Sequence, residues 1–530
     1  MVAMENRDET LAPSRRQILA AAGATLAACA LLGTTGCAAP KREGADDEPA
    51  RPEGLSAALG SSWPTFPLAG TTSPGALSVL RHVTEGLFDL DPHTFKAYRA
   101  LAAGSPVAVG ELEYDVALRE GAAFADGTPV TAEMVAATFK SLQDSSGAYS
   151  ALLAPIASMA AVDDATVRIT LAHPFPLLLE RRLALVQVVR DAGVWTAHDG
   201  TLSPVTLQGS GPWALESSSP EEGRLRFAPN EHYAGERPAT CPSMEWRFLA
   251  DGSDRAAALA AGEVLVADDL DGAHANKLGM VDSTLEYVPG FASPYLMFNC
   301  EKAPFSDLRV RQALLYAIDY DLAIAQVFGG RATAPTGVLP ETHQNYLRAK
   351  TVYSHDAERA RSLLEKAETQ DLTLALALQD ESMRPLAERI VADWAQAGVT
   401  ATIDSRGGAL VGSVANYDVA VCFDDPTLLG FDVDLILTWR YGGFVAPESL
   451  CRWSGEAADE ARALMQQARE TADEGLQRQL WEQCFEIISA QVPLYPVAFL
   501  EAGTAWRSGA LRGFEPLTTD GVDLLGVELR

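Results

Sequence analysis

Two hydrophobic periods run along this chain and mark its elements. Leu112 to Leu118 and Val167 to Leu171 alternate apolar and polar residue by residue, which predicts strands with one buried face, the second of them edge-like. Stretches at 372–378, 399–403 and 417–422 also read as strands. The helical period appears between 304 and 331, in PFSDLRVRQALLYAIDYDLAIAQVFGGR. Val310, Ala313, Leu314, Ala317 and Ile318 form one apolar stripe there, and Arg309, Arg311 and Gln312 fall off it. Ser306 or Asp307 can cap this helix, Asp319 starts a second short one, and Gly329-Gly330 stops it. Thr131 caps a helix through Lys140, with Glu133 near the positive end of its dipole. Further helices are predicted at 356–367, from Met383 to Trp394, and at 456–471 and 474–490. On periodicity alone this is a mixed α/β chain without internal repeats.

At 530 residues the chain has room for two or three domains, and 48% hydrophobic with 21% charged residues is the ordinary composition of a soluble globular protein. A net charge of -30 excludes nucleic acid as a partner, because phosphate repels such a surface. The N-terminus carries Ser14-Arg15-Arg16-Gln17-Ile18-Leu19, a twin-arginine pattern, ahead of an apolar run from Ile18 to Leu32 that is too short to read as a membrane span. Gly33-Thr34-Thr35-Gly36-Cys37 resembles a lipoprotein cleavage box with Cys37 as the lipid attachment point; an ordinary cleaved signal with a chance cysteine is the alternative. Residues 1–36 are therefore expected to be a signal peptide and 37–54, polar and Pro-rich, a flexible tether. Of seven cysteines, Cys241, Cys300, Cys422, Cys451 and Cys484 lie in the body; an odd number leaves at least one unbridged, and a Cys300–Cys422 bridge competes with two buried thiols.

Catalytic motifs are missing. No GxSxG elbow, HExxH helix or P-loop occurs, and none of the eight histidines pairs with another at i, i+4. Gly209-Ser210-Gly211 lacks the Lys-Ser/Thr of a phosphate loop, and Asp126-Gly127 lacks the further carboxylates of a calcium loop. Asp-Asp pairs such as Asp163-Asp164, Asp268-Asp269 and Asp424-Asp425 read as solvated strand ends. The expectation is a protein with no enzymatic activity, cofactor or metal; an extracellular hydrolase using Asp424-Asp425 is the alternative of another class.

The wording of the 304–331 stretch is more specific than its periodicity. Pro304, Phe305, Asp307, Arg309, Val310, Arg311, Gln312, Ala313, Ala317, Ile318 and Asp319 match, with Tyr320 where Arg is usual, a signature of the extracellular solute-binding proteins of family 5, which serve oligopeptide, dipeptide and nickel ABC importers. VLRHVTEGLFDLDP, REGAAFADGTPVTAE, Gly209 to Trp213, FAPNEHY and RAAALAAGE resemble other blocks of that family in the right order. The resemblance implies a type II periplasmic-binding-protein-like α/β fold with two main lobes and an extra small α/β domain, three domains in all. The first lobe would hold 55–88, 205–285 and 500–530, the small second lobe 89–204, and the third lobe 286–499. It also implies capture of short peptides, with oligosaccharides or nickel chelates as alternatives, by closure about links near 286–295 and 497–503. The expected partners are permease and ATPase subunits and the membrane through a lipid anchor, with the protein a monomer on the extracytoplasmic face or in the periplasm. In the family a third-lobe loop supplies the Asp that holds a peptide amine. Here the loop FDDPTLLGFDVDLILTWRYGG has changed spacing, so Asp424 and Asp425, or Asp432 or Asp434, are candidates. Trp439, Arg440 and Tyr441 are candidate pocket walls, with Arg440 suited to a carboxylate; Tyr149 from the second lobe and Trp63 and Thr72 from the first complete the expected ligand set.

Overall fold

The computed structural model describes residues 53–530 apart from 65–70, 72, 146–147, 198–201, 204, 275–277, 279–281, 406–416, 425–431 and 443–450. The twin-arginine segment, Cys37 and most of the expected tether lie outside the described residues.

The largest sheet has eight strands, with Leu55–Leu59 near its middle and parallel to both neighbours, Met244–Phe248 and Val266–Ala267. Arg224–Pro229 and Trp213–Ser219 extend it antiparallel on one side. On the other side Phe499–Trp506 pairs with Val266–Ala267, and Thr284–Pro289 and Ala332–Thr333 both pair with Phe499–Trp506. Leu55, Ala57, Leu59, Phe227 and Trp246 are buried in its core.

A second sheet of five strands runs Thr400–Asp404, Thr373–Leu378, Val419–Asp424, Ser293–Phe298, Leu494–Pro496. Every residue of Ser293–Phe298 is buried, which is why it reads as an apolar run and does not alternate. A third, antiparallel sheet places Thr166–Leu171 between Glu113–Ala117 and Ile156–Asp163. That strand is therefore interior and not an edge. Its alternation, with Val167, Ile169 and Leu171 buried, reports that one face of the sheet is covered, and the helix Ala132–Gln143 packs there.

The helix Leu308–Tyr316 begins on Asp307, whose side chain accepts from the Arg309 N–H, and Asp319 caps Tyr320–Val327 by accepting from Leu322. Its off-stripe polar residues have structural employment. Buried Arg311 donates to the carbonyls of Phe305, Ser306 and Gln491, and Gln312 donates to Ala490. Arg309 reaches the Lys366 carbonyl. Ala490, Gln491 and Lys366 end the helices Glu474–Gln491 and Ala357–Lys366, so the signature's cations sit on unsatisfied carbonyls at negative dipole ends. Tyr320, at the position where Arg is usual, is buried and donates to Leu315. Among the described residues no disulfide forms: Cys241, Cys300, Cys422, Cys451 and Cys484 are all thiols, which replaces the Cys300–Cys422 bridge with the two-thiol alternative.

Candidate functional site: a cavity at the crossing between two sheets

Two short segments, Gly290–Ala292 and Val497–Ala498, carry the chain between the two larger sheets, in addition to the longer passages to and from Ala332–Thr333. The crossings are zipped together: Gly290 donates to Leu500, Leu500 to Ala292, and Val497 to Pro294, at 2.8–2.9 Å. Gly290 is required by this approach, since a Cβ there would stand 2.6 Å from the Leu500 oxygen.

Beside the crossing lies a cavity of about 690 Å³. Leu270, Asp271, Tyr287 and Thr518 to Asp520 line one side, Gln326, Phe328, Arg331 and Phe423 the other, and Leu500 to Gly503 the floor. Strand register builds its polar centre. Tyr287 stands opposite Gly503, and Glu501, two residues along the same strand, shares that face. Arg331 lies over the Tyr287 ring, 3.9 Å from its centroid, and 3.5 Å from Glu501 Oε2. Glu501 Oε2, Tyr287 Oη and Thr518 Oγ1 are buried and have no hydrogen-bond partner among the described residues. Burial raises the Tyr287 phenol above its ordinary pKa; Arg331 opposes the rise, while Asp271 and Glu501 add to it, so the hydroxyl keeps its proton at neutral pH.

A second cavity, of about 500 Å³, is lined by Arg81, Glu85, Asp89, Tyr98, Arg119 and Arg237 among others. Two of its carboxylates are engaged: Glu85 takes two bonds from Arg119, and Asp89 accepts from Gly86 and Gln187.

The residues expected from sequence scatter. Asp424 ends the strand Val419–Asp424, its backbone opposite Ser293 at the crossing and next to the cavity-lining Phe423. Asp425 and Thr72 lie outside the described residues. Trp63 is half-buried edge-on against Phe248. Tyr149 is buried 6.0 Å from Trp195 and lines only a small pocket of about 90 Å³. On the helix Val433–Tyr441, Trp439 is half-buried, Arg440 is buried with its guanidinium 4.4 Å over Tyr295, and Tyr441 is wholly buried with its hydroxyl donating to Leu494. Tyr441 is thus a core residue and forms no cavity wall. Asp434 is also occupied, and Asp432 in part, its Oδ2 being buried without a hydrogen-bond partner among the described residues. Asp432 caps that helix by accepting from the N–H groups of Asp434 and Leu435, and Asp434 is buried between Arg182 at 2.5 Å and Arg469 at 2.9 Å. Tyr287, Arg331, Glu501 and Thr518 were not anticipated. The available signal was the lone acid in the strand FLEAGTAW and the arginine directly after Gly329-Gly330.

Among the described residues no group of three or more His, Cys, Asp or Glu is arranged to hold a metal, and no helix is long and apolar enough to cross a membrane.

Two larger sheets joined by two adjacent crossings, with a smaller α/β sheet beside them, define the type II periplasmic-binding-protein fold. Solved structures carry the same fold. The dipeptide-binding protein from Pseudoalteromonas sp. SM9913 in complex with Met-Leu superposes with a TM-score of 0.75 at 20% identity, covering 90% of this chain and 100% of that one. NikA from Brucella suis in complex with Fe(III)-EDTA does so at 0.76 and 19%, over 90% and 100%. The chain belongs to the bacterial extracellular solute-binding proteins of family 5: the model of that family's middle region matches residues 96–461. Among curated relatives, the glutathione-binding protein GsiB of Salmonella typhi is 30% identical over 319 residues, which span 58% of this chain and 60% of the relative.

Proposed function

We propose that this protein is the solute-capturing component of an ABC importer, that it binds short peptides in the cavity between its two larger sheets, and that it performs no bond chemistry. Family membership supports the transport role. The observation that carries the site is the 690 Å³ cavity: both sheets contribute walls, Gly290, Ala292 and Leu500 to Gly503 lie at its base, and three of its lining residues, Tyr287, Glu501 and Thr518, carry buried oxygens without a hydrogen-bond partner among the described residues. The three-lobe division implied by the family resemblance is kept in this proposal, with 55–88, 205–285 and 500–530 in the first lobe, 89–204 in the second and 286–499 in the third, although the strand Thr284–Pro289 runs across the 285/286 boundary. Solute touches both sides only when the cavity is closed, so binding draws the equilibrium to the closed form, which the permease then reads. In this scheme Asp424, which ends a strand beside the crossing, adjoins the cleft, whereas Trp63, Trp439 and Arg440 do not line the cavity; Thr72 and Asp425 lie outside the described residues. Lipidation of Cys37 after export through the twin-arginine route would anchor a monomer at the extracytoplasmic face.

Mass spectrometry of solute carried through native purification, paired with small-angle scattering before and after its removal, tests the proposal. A bound peptide and a smaller radius of gyration in its presence are expected. A carried oligosaccharide or metal chelate would move the solute class to those alternatives, and no compaction with any bound solute would refute the closure mechanism.

A further inference from the structure

We infer that Glu501, with Tyr287 and Thr518, forms a subsite for a protonated amine or guanidinium group of the solute; this rests on reading the cavity between the two larger sheets as the solute cleft. A carboxylate can only accept hydrogen bonds, and Glu501 Oε2 is buried with none from the described residues. Such an oxygen is destabilising until a donor reaches it, and Glu501 lines the cavity from which one can come. Tyr287 Oη and Thr518 Oγ1 are unpaired around the same cavity. Each hydroxyl has lone pairs to accept further N–H bonds, so three residues of one cavity lining offer acceptors to a donor-rich group. Charge agrees with geometry: Asp269, Asp271, Glu501 and Asp520 line the cavity against a single basic lining side chain, Arg331, and although Arg255 pairs with Asp269 and His274 lies 2.8 Å from Asp271, acids still outnumber bases there. Arg331 approaches Glu501 only to 3.5 Å and spends its face on the Tyr287 ring, which leaves the carboxylate its remaining hydrogen-bonding capacity. Gly503 keeps the subsite open, because a Cβ there would collide with the Leu270 carbonyl and crowd the Tyr287 ring. The amine acceptor is thereby placed on the strand Phe499–Trp506; of the described acids near the 424–434 loop, Asp434 is committed to a buried ion pair and Asp432 Oδ1 to a helix cap.

The test measures thermal shift and calorimetric affinity on the solute-stripped protein with three probes: a random tripeptide pool, the same pool N-acetylated, and an equimolar mixture of putrescine and agmatine. The expected result is binding of the free-amine pool, loss of at least about tenfold in affinity on acetylation, and a similar loss for Glu501→Gln. Tyr287→Phe, which removes one hydroxyl, is expected to weaken binding about threefold to tenfold. If both peptide pools fail but the diamine and agmatine bind the wild type and not Glu501→Gln, the peptide reading falls while the subsite stands. Equal binding of free and acetylated pools, or no binding of any ammonium-bearing probe to the wild type, would overturn the subsite. Unliganded circular dichroism and melting of both variants confirm that the fold is intact, and Tyr287→Phe keeps the test decisive if Glu501→Gln does not fold.

Discussion

His82 offers a sharp test of how the largest sheet closes on the chain's C-terminal segment. It is fully buried on the helix Pro74–Val83, edge-on to Trp246. Nδ1 lies 2.7 Å from the Ser78 carbonyl, and Nε2 lies 3.0 Å from the Leu524 amide nitrogen. A carbonyl cannot donate and an amide N–H cannot accept, so the ring is neutral, with its proton on Nδ1 and Nε2 accepting from Leu524. Burial drives its pKa down to about 4; the Asp523 carboxylate, 3.8 Å from Nε2, opposes the fall without reversing it. Protonating Nε2 would set two N–H groups against each other in a dry site.

The sign follows from linkage. The unfolded chain binds the proton near the ordinary histidine pKa of about 6.5, and the folded one only near 4, so stability is present above 6.5 and is lost as pH falls through that window. The loss is about 2 kcal/mol at pH 5 and approaches about 3 kcal/mol below pH 4, at 1.36 kcal/mol per pKa unit. Whole-protein stability conceals this. Asp268 is raised to about 7 and Asp89 to about 6, both chiefly by burial, and such groups contribute stability that grows on acidification. Comparison with His82→Gln isolates the histidine, since the two aspartates act in both proteins. Urea unfolding at a series of pH values is expected to show the gap between wild type and variant shrinking by about 2 kcal/mol from pH 7.5 to pH 5. A gap independent of pH, or an NMR titration assigned to the His82 imidazole near 6.5 in the folded protein, would refute the buried neutral ring.

Asp434→Asn leaves Arg182 and Arg469 facing a neutral amide in a buried site, and a loss of about 3–5 kcal/mol is expected in chemical denaturation. Arg311→Lys keeps the charge but loses the planar fork that serves Phe305, Ser306 and Gln491, and should cost about 2–3 kcal/mol in the same assay. Burial pushes Cys484 up to about 12 and Cys300 up to about 11, so Ellman titration at pH 8 should find these two unreactive in the folded mature protein and all five body thiols reactive in guanidinium.

Local order was legible because it is carried by short-range rules. Asp307 and Asp319 cap the helices their positions suggested, Thr131 caps a third, and Gly329 and Gly330 take the positive φ that stops a helix. The family wording was legible for a related reason: Arg309, Arg311 and Gln312 are fixed by helix ends distant in sequence, so their spacing preserves a three-dimensional demand. Site side chains were harder to place. Tyr441 and Trp63 belong to a residue type that serves a core as readily as a ligand, and only packing distinguishes the two. Asp432 and Asp434 looked like ligand acids because nothing in their own segment reveals that Arg182, 252 positions away in sequence, and Arg469 would claim one of them. Glu501 escaped notice because its significance depends on register with Tyr287, which a single strand does not display.

The same ion pair bears on motion. Arg182 belongs to the helix Leu179–Leu183, within the stretch assigned to the second lobe, while Asp434 and Arg469 lie in the stretch assigned to the third. Both partners of the 2.5 Å contact are about 1% exposed, so a swing about Gly290–Ala292 and Val497–Ala498 that parts the two stretches must bring both charges into water. Hydration offsets much of the lost attraction, unlike in Asp434→Asn, where the guanidiniums remain buried without a counter-charge. The pair therefore resists opening by less than its deletion costs in stability. Replacing both members, Arg182→Met with Asp434→Leu, removes the charges while retaining bulk. The double variant should recover much of the stability that Asp434→Asn loses, and its radius of gyration without solute should match the wild type if the two stretches stay together during closure. A larger radius would identify the pair as a latch that holds the unliganded protein shut.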